Sequence, residues 1–314
     1  MSDPIRRFDE LQQSRRWLAF PVAVLRKFAD DQGGYLAALI AYYAFVSIFP
    51  LLLVSVAVLG FVLQGDSALQ HQIVNSTLSR LPGIGDQLRQ DPNSLHGSGL
   101  GLVIGVVTSL LAGMGITQAT QSAFNRVWGI PFADRPNFLK SRVRGLAVLA
   151  VLALISLASF ALTGVVITLF PGPVAQIGGY VAGALVNVAL YLAAFRLLTV
   201  ENPGWRTNLP GALVAAAFWQ LLQVAGAGWA KHVISRDQRA YGIFGLVLGM
   251  LFLLYLGAQV TVLGAEVNVV RERRLWPRSL TNPPLTGGDR RALRQAAKTE
   301  ERVDDENVEV SFGA

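Results

Sequence analysis

Five stretches of the chain, 32–65, 92–125, 145–195, 207–230 and 240–265, contain no Asp, Glu, Lys or Arg. A helix on a soluble core keeps charge on its solvated face every turn or two. A bilayer crossing needs about 20 apolar residues at 1.5 Å each. Every window exceeds that length, so the chain reads as a polytopic membrane protein. Its 15% charged residues, against roughly 25% in soluble domains, agree.

The 145–195 window is 51 residues long and carries Phe170-Pro171-Gly172-Pro173 near its middle, a signal that ends one helix and starts another. It is therefore expected to form a helical hairpin, which brings the total to six. The expected spans are 36–63, 99–124, 145–170, 175–198, 209–230 and 241–267. Together they make an all-α membrane domain over 35–275, between an N-terminal segment 1–34 and a tail 276–314. The runs are continuous rather than alternating over ten residues, which argues against a β-barrel. The first apolar run begins near residue 35 and is too long for a signal peptide, so it is read as a span.

Six spans return both termini to one side. That side carries 22 of the 27 Lys and Arg residues and the other carries 5. Positive charge flanking spans is retained in the cytoplasm, so both termini are expected there. The net charge of +7 follows this topology. Anionic lipid headgroups are thus the expected partner, and nucleic acid is not.

Residues 15–31 (RRWLAFPVAVLRKFADD) place Val22, Leu25 and Phe28 on one face, as expected of a short helix at the cytoplasmic interface or one docked on the protein surface. The outer loop 64–98 is expected to cap the spans. Scattered charge, Pro283-Pro284 and few large apolar residues make 277–314 read as disordered. Three G-x-x-x-G pairs, Gly101/Gly105, Gly179/Gly183 and Gly245/Gly249, suit close helix packing in lipid.

Catalytic signals are sparse. The chain has no cysteine, and His71, His96 and His232 have no partner at metal-ligand spacing. There is no nucleophile elbow and no phosphate loop. No metal, no cofactor and no enzymatic activity are expected.

The spans do contain polar side chains where lipid makes them costly. Tyr43, Ser47 and Pro50 share a face of the first span, and Pro50 frees the Val46 carbonyl, which Ser47 or a water can satisfy. Gln118, Gln121 and Asn125 form an amide row on the second, and Gln220 and Gln223 repeat the spacing on the fifth. Such amides either bond between helices or line a wet cavity. Glu266 is the one carboxylate inside an expected span, followed by Asn268, with Arg196 at similar depth as a candidate ion-pair partner. Tyr241 and Gly242 open the sixth span.

Four ordered motifs carry a resemblance: AALIAYYAFVSIFPLLL, QSAFNRVWGI, RTNLPGALVAAAFW, and YGIFGLVLG running on to LGAEVN. With them, residues from about 15 to 275 resemble the YihY/BrkB family of bacterial inner-membrane proteins, once misnamed ribonuclease BN. The resemblance implies six transmembrane helices and an inner-membrane location, with transport or lipid export suspected. The chain departs from the family at LFLLYLG and TSLLAG, where members commonly carry tryptophan.

The resulting expectation is a permease or flippase-like transporter of an anionic lipid or other anionic solute. Its pathway would run along Tyr43, Ser47, Pro50, Gln118, Gln121, Asn125, Tyr241, Gly242, Glu266 and Asn268. The alternative is a non-transporting scaffold or envelope-assembly factor, in which these residues only join helices. A homo-oligomer or an envelope partner is compatible with either.

Overall fold

The computed structural model describes residues 4–62, 99–169, 173–201, 203–235, 242–281 and 284–313. Among them every regular element is a helix and none is a strand. Two short helices, α1 (Pro4–Ser14) and α2 (Arg16–Asp30), precede six long ones. These are α3 (Gly33–Val62), α4 (Gly99–Val127), α5 (Phe138–Leu169), α6 (Pro173–Leu198), α7 (Trp205–Ser235) and α8 (Gly242–Glu272), followed by α9 (Gly287–Lys298). All six long helices have the length and composition to cross a membrane. They match the six expected spans in number and order, and the 145–195 window is indeed a hairpin. The helices run past the charge-free windows because Lys140, Arg142, Arg144 and Arg271 continue them toward the interface. The outer loop 64–98 and Tyr241 lie outside the described residues.

The long helices form a ring. Each packs on its sequence neighbour, α8 closes onto α3, and α4 also reaches across to α6 and α8. Leu154, Leu157, Leu185, Leu221 and Phe252 point outward and stay exposed, as lipid-facing side chains do. The buried core gathers at the terminus-bearing end. Ala37, Ile40, Ala123, Phe124, Val127, Phe195, Ala215, Val262 and Val269 pack there from five of the six helices. Phe124 and Phe195 meet with ring centroids 5.2 Å apart.

Helix ends at this side are capped by cations. Each helix C-terminus leaves carbonyls without intrahelical partners and carries partial negative charge. Arg144 donates to the carbonyls of Leu197 and Thr199, both at 2.6 Å, at the end of α6. Lys27 donates to the Val127 carbonyl at 3.0 Å, at the end of α4.

The protein-facing side of α2 is Ala19, Ala23, Val24 and Lys27, while Leu25 stays exposed. The alanines let α2 lie close against α8. One expectation is corrected here: the tail is ordered, held largely by hydrogen bonds. The Arg278 guanidinium donates to Asp30 and Asp289, both at 2.6 Å. Asp9 accepts from the Ser279 hydroxyl, the Leu280 amide and the Thr281 hydroxyl at 3.1, 3.0 and 2.9 Å. A capping box between Thr286 and Asp289 starts α9.

Candidate functional site

Lys27 is the hinge of a buried charge cluster where α2, α4 and α8 meet. Its Nζ donates to Asp31, one turn on, and to the Val127 carbonyl, and stands 3.6 Å from Glu266 Oε2. Glu266 is fully buried, and neither of its oxygens receives a hydrogen bond. Burial pushes the Asp31 carboxyl up, and the charge of Lys27 offsets only part of that shift. The ion-pair partner expected for Glu266 is therefore corrected: Lys27 faces it, and Arg196 is exposed near the end of α6.

A cavity of about 260 Å³ adjoins the cluster, lined by Lys27, Asp31 and Arg126 on one side and by Asp289 and Gln295 on the other. Helix α9 thus forms one wall of it. Beside α9 lies a second hollow of about 300 Å³ whose charged lining is all cationic: Arg273, Arg291, Arg294 and Lys298. That arrangement suits a phosphate or carboxylate.

Three of the amides expected to line a pathway, Gln121, Asn125 and Asn268, bond to neighbouring segments of the chain. Gln121 donates to the Ser141 carbonyl at 3.2 Å and accepts from the Ser141 hydroxyl at 3.0 Å, tying α4 to α5. Asn125 accepts from the Val200 amide at 3.3 Å. Asn268 accepts from the Gly211 amide at 2.7 Å and donates to Asn208 at 3.4 Å, tying α8 to the start of α7. Ser47 bonds the Tyr43 carbonyl at 2.7 Å, not that of Val46. The Tyr43 ring packs over Gly115, where a Cβ would overlap it. Pro50 and Gln118 are half-buried on α3 and α4, and Gly242 begins α8.

A polar groove of about 370 Å³ lies elsewhere, between α5, α6 and α7. Ser156, Ser159, Asn187, Gln220 and Gln223 supply its polar lining. Asn187 stands 11 residues from Leu198 at the end of α6, roughly 16 Å along the helix at its rise per residue. The side-chain amides of Asn187, Gln220 and Gln223 make no hydrogen bond to a described residue. Of this set, the sequence drew attention only to the Gln220–Gln223 spacing. Ser156, Ser159 and Asn187 sit singly in apolar helices, and no spacing could have joined them.

No solved structure matches the chain. The inner membrane protein YhjD of Escherichia coli strain K12 is 23% identical over 86% of this chain and 86% of its own length. UPF0761 membrane proteins of Azotobacter vinelandii and Xanthomonas axonopodis are each 26% identical, over 82% and 88% of this chain. The match spans 64% of the Azotobacter protein's length and 67% of the Xanthomonas protein's. None of these names carries an enzymatic activity. The profile described as Virulence factor BrkB matches residues 24–285, which include the whole helical ring, and the chain therefore belongs to that family of multi-pass membrane proteins.

Proposed function

We propose that the chain is a permease or flippase-like transporter of an amphiphile or solute bearing an anionic group, without enzymatic activity. It would sit in a bacterial inner membrane with both termini in the cytoplasm. The observation that carries this reading is the groove between α5, α6 and α7. Uncharged hydrogen-bonding groups that pair with no described residue at membrane depth are costly unless water or a solute meets them. The basic hollow of Arg273, Arg291, Arg294 and Lys298 supports an anionic cargo at the terminus-bearing end. The bundle is packed shut around Phe124, Phe195 and Val262. Transport therefore requires a second conformation in which that plug opens.

The interhelical bonds of Gln121, Asn125 and Asn268 favour a second reading, a membrane scaffold. Reconstitution into liposomes separates the two. Transbilayer movement of labelled anionic lipids and of a small organic anion should exceed that of protein-free vesicles. Gln220→Leu with Gln223→Leu should slow it about tenfold or more, as loss of one or two productive hydrogen bonds does. Folded protein that moves neither cargo would favour the scaffold.

A further inference from the structure

At the closed end of the bundle two carboxylates share one ammonium. Lys27 directs two of its three N–H donors to Asp31 and the Val127 carbonyl, and at 3.6 Å its contact with Glu266 is an ion pair without a hydrogen bond. Glu266 is left fully buried with two oxygens that accept from nothing. A buried carboxylate in that state is strongly disfavoured. Among the described residues no donor bonds to Glu266; Arg278 Nη1 and Gln295 Nε2 are also without partners, but they line the cavity, which Glu266 does not. Asn268 is engaged by Asn208 and Gly211, and α3 packs the apolar Ala37, Ile40 and Ala41 into the same core. Arg126 on α4 lines the cavity and acts on Asp31. Across that cavity, Arg278 is taken by Asp30 and Asp289. The other acid at this point is Asp31, whose carboxylate faces the same Lys27 ammonium as Glu266.

We propose that Asp31 and Glu266 hold one proton between them, and that the cavity beside Lys27 and Asp31 is its route to water. The proton gives Glu266 its missing partner, since an O–H on one carboxyl donates to the other. It also balances the cluster, because one ionised carboxylate then faces the Lys27 ammonium. Two adjacent like charges do not ionise together cheaply. The two acids differ in access. Asp31 lines the cavity with its side chain 11% exposed, whereas Glu266 lies behind it at 0%. Asp31 is thus the wet member that takes or releases the proton, and Glu266 is the dry one that retains it. The direction of the Asp31 shift agrees. The proton site stands independently of the transport reading; a carrier would find its coupling ion there.

The test is infrared absorption of the full-length protein in lipid nanodiscs, with carbon-13 in the Asp or the Glu carboxyls. A protonated-carboxyl stretch is expected at neutral pH, shifting with the label and vanishing on titration to alkaline pH. It should be lost in Glu266→Gln and in Asp31→Asn. No such band in the wild-type protein at neutral pH would overturn the proposal, as would a band of full intensity in both variants. The wild-type titration gives its answer even if a variant fails to fold. No substrate is needed, so failure of the transport reading cannot be mistaken for failure here.

Discussion

Gly211 on α7 and Gly264 on α8 meet backbone to backbone: a Cβ on Gly211 would overlap the Gly264 carbonyl oxygen and the Asn268 amide. The contact is possible because neither residue has a Cβ, and Asn268 accepts from the Gly211 N–H, next to Pro210 inside α7. Gly211→Ala should therefore push the two helices apart. The expected cost is about 1–3 kcal/mol, typical of overpacking, read as a lowered unfolding midpoint in detergent. Gly204→Ala, with open space around its Cβ, should leave the midpoint unchanged.

Lys27 holds the ends of three helices in one place, so Lys27→Met should be among the most damaging substitutions in the chain. Removing one partner of a buried pair costs roughly 3–5 kcal/mol because the other charge is stranded. Adding Glu266→Gln to Lys27→Met should restore part of that loss. Equilibrium unfolding of the two single variants and the double variant measures the coupling.

The docked tail should loosen in acid. Burial of Asp289 favours its neutral form, but hydrogen bonds from Thr286, the Ser279 amide and Arg278 outweigh it and hold the carboxyl below its usual range. The folded form then binds a proton more weakly than the undocked one. Its contribution is present at neutral pH and is lost as pH falls below about 3.9, the ordinary Asp value, toward the lowered one. Limited digestion by an acid-active protease should cut around α9 with rising speed over that range. Asp289→Asn should be cut faster than the wild-type protein throughout that range.

The six spans were legible because charge is nearly absent from a helix that crosses lipid, and the windows it leaves can be read directly. The tail was not. Its docking rests on single polar residues, Asp9, Asp30, Arg278 and Asp289, whose partners lie up to 272 residues away. Lys27 escaped notice for a related reason. In sequence it is one more cation on the basic side, and only the packing of α2 on α8 turns it toward Glu266. The amide row on α4 was visible by its spacing, but spacing does not distinguish a wet wall from an interhelical bond. The Ser141 and Val200 partners decided that. The groove needed three helices to be brought together before Ser156, Asn187 and Gln220 became neighbours.

The bundle is proposed to be wet at the groove and dry at the plug, and thiol accessibility tests this directly. The chain has no cysteine, so single replacements can be labelled without background. A maleimide reacts with the thiolate, which forms in water and not in an apolar contact. In native membranes, Asn187→Cys should react readily with a water-soluble maleimide, and Gln121→Cys should stay unreacted until the protein is denatured. If Asn187→Cys is as inert as Gln121→Cys, the groove is a dry helix contact and the transport reading loses its support.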